Sequence, residues 1–250
     1  MKRSLSFIFL ILLALGCETE SKLTFEKLQL ENEKCDDCPN IKIEVPQALD
    51  ETRIARTINN SISEELIYTL KFEDTADVNT VQGAMKSFTQ SYQEFQQKFD
   101  DEAIGWEAEI NGEVIFESAA LASLVLNTYT FTGGAHGYGS ATFLNFDKLK
   151  GIELENHEMF SDLEGFIALA EDRFRNEHDV PKKANINATG FMFSGDTFHL
   201  AENLGFTDEG IQLIYNQYEV ASYADGPIEL IIPFEQANQF LKEKYSVKIN

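Results

Sequence analysis

With 250 residues, 43% of them hydrophobic and 12% aromatic, the chain is long enough for one large domain or two small ones and too apolar to be disordered. Its formal charge of −22, from 20 basic against 42 acidic residues, argues against nucleic acid and favours cations or basic proteins, chiefly by steering their encounter. The same charge repels anionic glycopolymers and also serves plain solubility.

Lys2 and Arg3 precede an apolar run from Leu5 to Leu15, and Gly16 and Cys17 follow it. Residues 1–16 therefore read as a secretory signal peptide, too short for a membrane span. The Ala14-Leu15-Gly16-Cys17 ending resembles the lipobox of bacterial lipoproteins, whose cysteine becomes the lipidated first residue of the mature chain. An exported protein is expected, held to a bacterial membrane by lipid on Cys17 and facing the periplasm or the cell exterior. Loss of Lys2 and Arg3 leaves 18 basic against 42 acidic residues, a charge of −24.

With Cys17 taken by lipid, Cys35 and Cys38 remain. In an oxidising compartment a Cys-Asp-Asp-Cys pair most simply closes a local disulfide. A thioredoxin-like redox site would need basic help for the thiol, whereas two aspartates lie between these sulfurs and Pro39 follows. A zinc knuckle would need a second ligand pair, and none is nearby in the sequence.

Residues 17–40 are polar with scattered leucines and read as a lipidated tether, with room for one short strand at its centre. Ile41, Ile43 and Val45 alternate with Lys42 and Glu44, a strand. Asp50 is positioned to cap a helix carrying Ile54, Ile58, Ile62 and Leu66. After Asn79 a second helix carries Val81, Met85, Phe88, Tyr92, Phe95 and Phe99 on one face, an apolar stripe that must pack on a sheet. From Ile104 the period becomes two, and Asn111-Gly112 predicts a type I′ hairpin with a return strand over 113–118. Strands over 121–132 and 140–146 complete an antiparallel meander. The second half predicts a turn at 147–151, a short strand at 152–154, a helix capped by Asp162, and a loop over 177–190. Strands follow at 198–204, 210–216, 218–223 and 228–232, and a closing helix over 234–245. The fold class is α+β, divided at residue 137 into an N-terminal domain (41–137) and a C-terminal domain (138–250).

Chemistry-bearing residues concentrate in Asn127 to Gly139, where a Thr- and aromatic-rich strand runs into Gly133, Gly134, Gly137 and Gly139 around His136. Dense glycine marks positive φ or a close backbone approach. The segment lacks the Lys-Ser/Thr ending of a P-loop and the helix of a dinucleotide site, and no Gly-x-Ser-x-Gly elbow occurs. His136, His157, His178 and His199 are evenly spaced, but their neighbours share nothing. Asp36-Asp37 and Asp100-Asp101 read as solvated pairs. No catalytic residue, metal or cofactor is assigned. His136 is either a backbone-bonded turn histidine or an accessible ligand-binding ring.

Tyr129-Thr130-Phe131-Thr132-Gly133-Gly134-Ala135-His136-Gly137, read with Asn145-Phe146-Asp147 and Tyr215-Asn216-Gln217-Tyr218-Glu219-Val220, resembles a bacterial envelope family. The chain is similar, from about Pro39 to Gln239, to the tandem extracellular domains of RsiV-type lysozyme-sensing anti-sigma factors. A related domain precedes the catalytic part of PdaC-type peptidoglycan deacetylases. The resemblance implies an α+β fold whose second half is similar to a piece of the Hsp70 ATPase. With only Met1 to Ser4 ahead of the apolar run and Asn250 as the last residue, the shared module is expected by itself, with neither the anti-sigma factors' signalling arm nor the deacetylases' catalytic domain. The expected function is a non-catalytic envelope binding module for lysozyme or another basic protein, with peptidoglycan or glycan recognition, or an envelope hydrolase, as alternatives. Gly133, Gly134, His136, Gly137, Tyr138, Tyr218, Glu219 and Tyr223 are the ligand-binding candidates, with the Asp225-Gly226 turn beside them.

Overall fold

The computed structural model describes residues 22–35, 37–72, 78–99 and 104–249. The signal peptide and Cys17 lie outside the described residues, as do Asp36, Asp100 and Asp101. Two sheets and two helical layers make up the fold. A six-stranded sheet runs in sequence order: β1 (Phe25–Glu31), β2 (Asn40–Ala48), β3 (Glu107–Glu117), β4 (Leu121–Phe131), β5 (Tyr138–Asp147) and β6 (Ile152–Glu153). Its pairs are antiparallel except β2 and β3, which run parallel because α1 (Arg53–Leu70) and α2 (Val81–Lys98) carry the chain back to the starting end. The expected antiparallel meander is the β3–β4–β5 part of this sheet, and β2 joins it in parallel.

Both helices lie on one face of the sheet. Ile54, Ile58, Ile62 and Leu66 of α1 and Phe88 and Tyr92 of α2 pack on Ile41, Ile43, Ala108, Ile110, Leu124, Leu126 and Phe146. Thr52, not Asp50, caps α1 by accepting from the Ala55 amide at 3.2 Å. Asp50 instead accepts from the Thr24 amide at 2.8 Å. The stripe on α2 packs as expected up to Phe95, while Phe99 beyond the helix end is exposed.

The opposite face of β3 to β5 is covered by the second half of the chain. A three-stranded antiparallel sheet, β7 (Asn203–Phe206), β8 (Ile211–Tyr215) and β9 (Ile228–Ile232), packs there together with α3 (Leu163–Glu177), which Asp162 caps. Its core gathers Phe166, Phe174, Leu204, Phe206, Leu213 and Leu230. The division expected at residue 137 thus falls inside a continuous sheet: β4 and β5 pair on either side of it, from Leu121–Asp147 to Thr130–Tyr138.

Several expectations need correction. The short strand for which the expected tether left room forms over 25–31, but as an edge strand paired along its length with β2, so the chain is part of the sheet from there on. Asn111-Gly112 makes no hairpin; β3 runs straight through it. A Cβ at Gly112 would stand 2.7 Å from Leu126 Cδ2 and 2.9 Å from Pro46 Cδ, so the glycine admits neighbouring side chains across the sheet. The strand expected over 198–204 forms only from Asn203. That over 218–223 is a turn ending in a 3-10 segment, Tyr223–Asp225, because Tyr218 adopts φ 70° and Asp225 ties back to Ser222. The closing helix stops after one turn, α4 (Phe234–Ala237). Beyond it the Asn238 side chain pairs with the Val247 backbone, and the Phe240 carbonyl accepts from the Ser161 and Asp162 amides.

Two polar knots join the halves. Ser123 and Asn145 are fully buried; Ser123 Oγ donates to Asn145 Oδ1 at 2.7 Å, Asn145 Nδ2 donates to the Leu204 carbonyl at 2.7 Å, and the Phe206 amide donates to Ser123 Oγ at 3.1 Å. Leu204 and Phe206 lie on the free edge of β7, so two side chains satisfy backbone groups that otherwise have no strand to pair with. At the end of β5, buried Asp147 accepts from Lys244 Nζ at 2.6 Å, Tyr245 Oη at 2.8 Å and the Lys150 amide at 2.9 Å. Burial alone pushes its carboxyl up, but the bonds from Lys244, the Lys150 amide and Tyr245 outweigh this and hold it below the usual aspartate value.

Asn145→Ala leaves buried groups on Ser123 and Leu204 unpaired and is expected to cost about 2–4 kcal/mol in urea unfolding, several times an exposed Asn→Ala control. Asp147→Asn should lower stability at neutral pH. Because the folded carboxyl titrates below the unfolded one, the difference from wild type should be full above the unfolded pKa and shrink as pH falls through the depressed folded value.

Candidate functional site

The site lies where β4 ends and β5 begins. Gly133 and Gly134, at φ 101° and 87°, turn the chain after β4. Gly137 is buried because the Tyr129 ring crosses it: an added Cβ would lie 2.5 Å from Tyr129 Cζ. The two ends of this loop are therefore set by backbone freedom and by a ring that needs a bare Cα.

His136 is thereby held outward, and the second half of the chain meets it there. Its ring stacks on Tyr223 with centroids 3.6 Å apart and planes at 18°. Tyr218 Oη stands 3.5 Å from His136 Nε2, and the Tyr218 and Tyr223 rings are 5.7 Å apart. His136 Nδ1 is 3.1 Å from the Gly137 carbonyl. A carbonyl only accepts, so this contact assigns the proton to Nδ1 and leaves Nε2 to accept from Tyr218. One ring face and both nitrogens are thus engaged.

The segment after β8 reaches this loop through side-chain amides. Asn216 accepts from the Ala141 amide at 2.8 Å and donates to the Ala141 carbonyl at 3.0 Å, copying the pairing of a further strand on the edge of β5. Gln217 accepts from the Gly139 amide at 3.2 Å. This double anchoring fixes the turn in which Tyr218 takes its left-handed conformation, and the Ser222–Asp225 capping box presents Tyr223. A cleft of about 250 Å³ runs alongside, lined by Asn127, Gly139, Asn216, Gln217 and Glu229 among others.

Not every candidate joins the cluster. Tyr138, 41% exposed, makes no ring contact with the trio among the described residues; burial, then the nearby Glu219 and Tyr68, push its phenol up. Tyr215 is a core residue whose hydroxyl donates to the His199 carbonyl at 2.7 Å. Glu219 borders the site, and its carboxyl is pushed up by loss of solvent first and by repulsion from Glu202, against hydrogen bonds from Asn216. Cys35 and Cys38 are bridged, with Cα atoms 5.2 Å apart, between β1 and β2 at the same end of the sheet. The four histidines do not gather, and among the described residues no group of three or more His, Cys, Asp or Glu could hold a metal ion. Sequence reasoning missed Tyr129, Asn216 and Gln217 as site-building residues. Tyr129 carried a signal, as the outward ring of the strand leading into the glycines.

Residues 32–138 match the family model described as Deacetylase PdaC, and residues 157–235 match that described as Protein of unknown function (DUF3298). No curated protein matches the chain. Among solved structures, a DUF3298 family member from Bacteroides fragilis is 22% identical with a TM-score of 0.66, over 88% of this chain and 94% of that one. A DUF3298 family protein from Pseudomonas aeruginosa is 21% identical with a TM-score of 0.63, over 90% and 97%. These two likenesses show the shared fold.

Because the folded Glu219 carboxyl binds its proton more tightly than an unfolded one, its charge opposes folding at neutral pH. Glu219→Gln is expected to raise Tm at pH 7 in a thermal melt, and the gain should vanish in acid once the wild-type carboxyl is protonated.

Proposed function

We propose that this chain, a PdaC-type domain followed by a DUF3298 domain, is a non-catalytic binding module of the bacterial envelope, anchored by lipid on Cys17. Its partner is a basic protein of the lysozyme class, engaged at the His136–Tyr218–Tyr223 end of the sheet. The observation that carries this reading is the convergence itself: two loops 82 residues apart meet to build one exposed ring cluster. Clustered tyrosines supply large contact area at low entropic cost, as at protein interfaces generally. Carboxylates lie beside them, since Glu109 pairs with Tyr129 and Glu107 with Phe131 across β3 and β4, on the same face. With Glu219 they complement a cationic partner and its approach. A binding role also suits His136, whose nitrogens already have partners, whereas a general base needs one aimed at substrate.

Glycan recognition is the second reading, favoured by the flat His136–Tyr223 stack and the exposed Tyr138. Salt separates the two, because charge-steered association weakens as salt rises while stacking on sugars barely responds. A soluble chain starting at Lys22 keeps every described residue. In calorimetric titration it is expected to bind a c-type lysozyme saturably, in part at high salt, and not an equally basic unrelated protein. Tyr218→Ala with Tyr223→Ala should weaken binding by about tenfold or more, roughly 1.4 kcal/mol. Equal binding to the control protein refutes the lysozyme reading, and salt-independent binding of peptidoglycan fragments would establish the glycan one.

A further inference from the structure

We infer that the end of the six-stranded sheet opposite the ring cluster is a membrane-facing surface, resting on an anionic phospholipid bilayer that holds the chain's own anchor. The inference rests on the lipid reading of Cys17, and it is independent of which ligand the ring cluster takes.

Chain geometry sets the first constraint. Leu23 is buried, with its amide donating to Glu117 Oε1 at 3.0 Å, and the next amide is held by Asp50. The tether thus shrinks from the expected 17–40 to the few residues before Leu23, which even fully extended reach at most about 20 Å from Cys17. Strand directions say which end this is. β1 begins here, β2 and β3 end here, β4 begins here and β5 ends here, since Phe25 pairs with Ala48, Glu117 with Ala122 and Leu121 with Asp147. The His136 loop joins the other ends of β4 and β5, about 34 Å away along an eleven-residue strand.

Charge and exposure decide what this end suits. Over the whole chain carboxylates outnumber cations by 42 to 20. At this end the balance is nearer neutral: Lys22, Arg53, Arg56, Lys148, Lys150 and Lys244 stand against Glu26, Asp50, Glu51, Glu117, Asp147, Asp208 and Glu209. Two of those carboxylates are already neutralised, Glu117 by Lys148 at 2.7 Å and Asp147 by Lys244 at 2.6 Å. Lys22, Glu117, Lys148 and Asp208 share a cleft of about 440 Å³ at the point of chain entry. Arg53 packs against the Asp147–Gly151 turn, and that turn projects Leu149, 68% exposed, between Lys148 and Lys150. Leu49, 49% exposed, stands beside Thr24, whose carbonyl accepts from the Leu49 amide at 2.9 Å. A bare leucine set between two lysines, with a second bare leucine on the same end, suits an interface of headgroups and acyl chains, while the remaining acidic surface is repelled by anionic lipid. The ring cluster is then presented away from the membrane, toward whatever arrives from outside.

The test uses the full lipidated chain in vesicles of equal parts phosphatidylglycerol and phosphatidylcholine containing a headgroup-nitroxide lipid. With Cys17 acylated and Cys35 bridged to Cys38, a cysteine introduced by Leu149→Cys or Tyr138→Cys is the only free thiol and takes a fluorophore. Several-fold stronger quenching at 149 than at 138 is expected, and reversing Arg56→Glu with Lys150→Glu should remove most of the difference. Equal quenching at the two positions, or stronger quenching at 138, overturns the inference. So does a mature protein whose mass lacks acylation at Cys17. Failure of lysozyme binding in the calorimetric experiment would leave these readouts unchanged, so the two proposals fail separately.

Discussion

The free edge of β7 is the constraint on which the architecture depends. A strand paired on one side only must satisfy its remaining amides and carbonyls, and burying them unpaired costs more than most single contacts return. Here the Leu204 carbonyl and Phe206 amide are met by Asn145 and Ser123, two polar side chains fully enclosed among apolar neighbours. Those partners sit on β4 and β5, so the second half of the chain has one register against the first. The hydrogen bonds are directional where apolar packing is not, and they convert two layers that could slide into one unit. Gly205 between them lacks a Cβ because the Phe143 ring occupies that space.

Once β7 is docked, the placement of the ring cluster follows. β8 continues into Asn216 and Gln217, whose amides pair with the open edge of β5 at Ala141 and Gly139. That edge is protected by side chains standing in for a strand, which also removes a template for unwanted pairing. The turn carrying Tyr218 and Tyr223 is delivered to His136 at the same level of the sheet. Two distant motifs are therefore neighbours because both are attached to β5, one covalently and one through amide pairs.

The molecule is polar along its strands. One end carries the chain entry, a near-balanced set of charges and exposed leucines; the other carries glycine-built turns, stacked rings and carboxylates. Such an arrangement lets one end settle on a surface while the other stays open to a partner. The run Leu121–Leu126, buried throughout, is the physical boundary between these ends, covered on one face by α1 and α2 and on the other by the second sheet. Past Leu126 the outer cover ends: Asn127 and Tyr129 are exposed and Phe131 is half-buried.

The α+β class, both long helices and the strands β2, β4, β5 and β6 could be read from periodicity, since 3.6- and 2-residue patterns report one-sided burial directly. The Cys35–Cys38 bridge followed from spacing, and likeness of motifs pointed to the family pair. Sequence could not tell that Gly112 makes room for Leu126 and Pro46, because the same dipeptide forms a hairpin wherever nothing crowds it. Nor could it show that residues 25–31 pair with β2, or that the helix begun at Phe234 ends after one turn. Those outcomes depend on partners far along the chain. The cluster of His136, Tyr218 and Tyr223 belongs with them: each residue was visible alone, but their meeting is decided by Asn216 pairing with Ala141, a contact between residues 75 apart that no local pattern encodes.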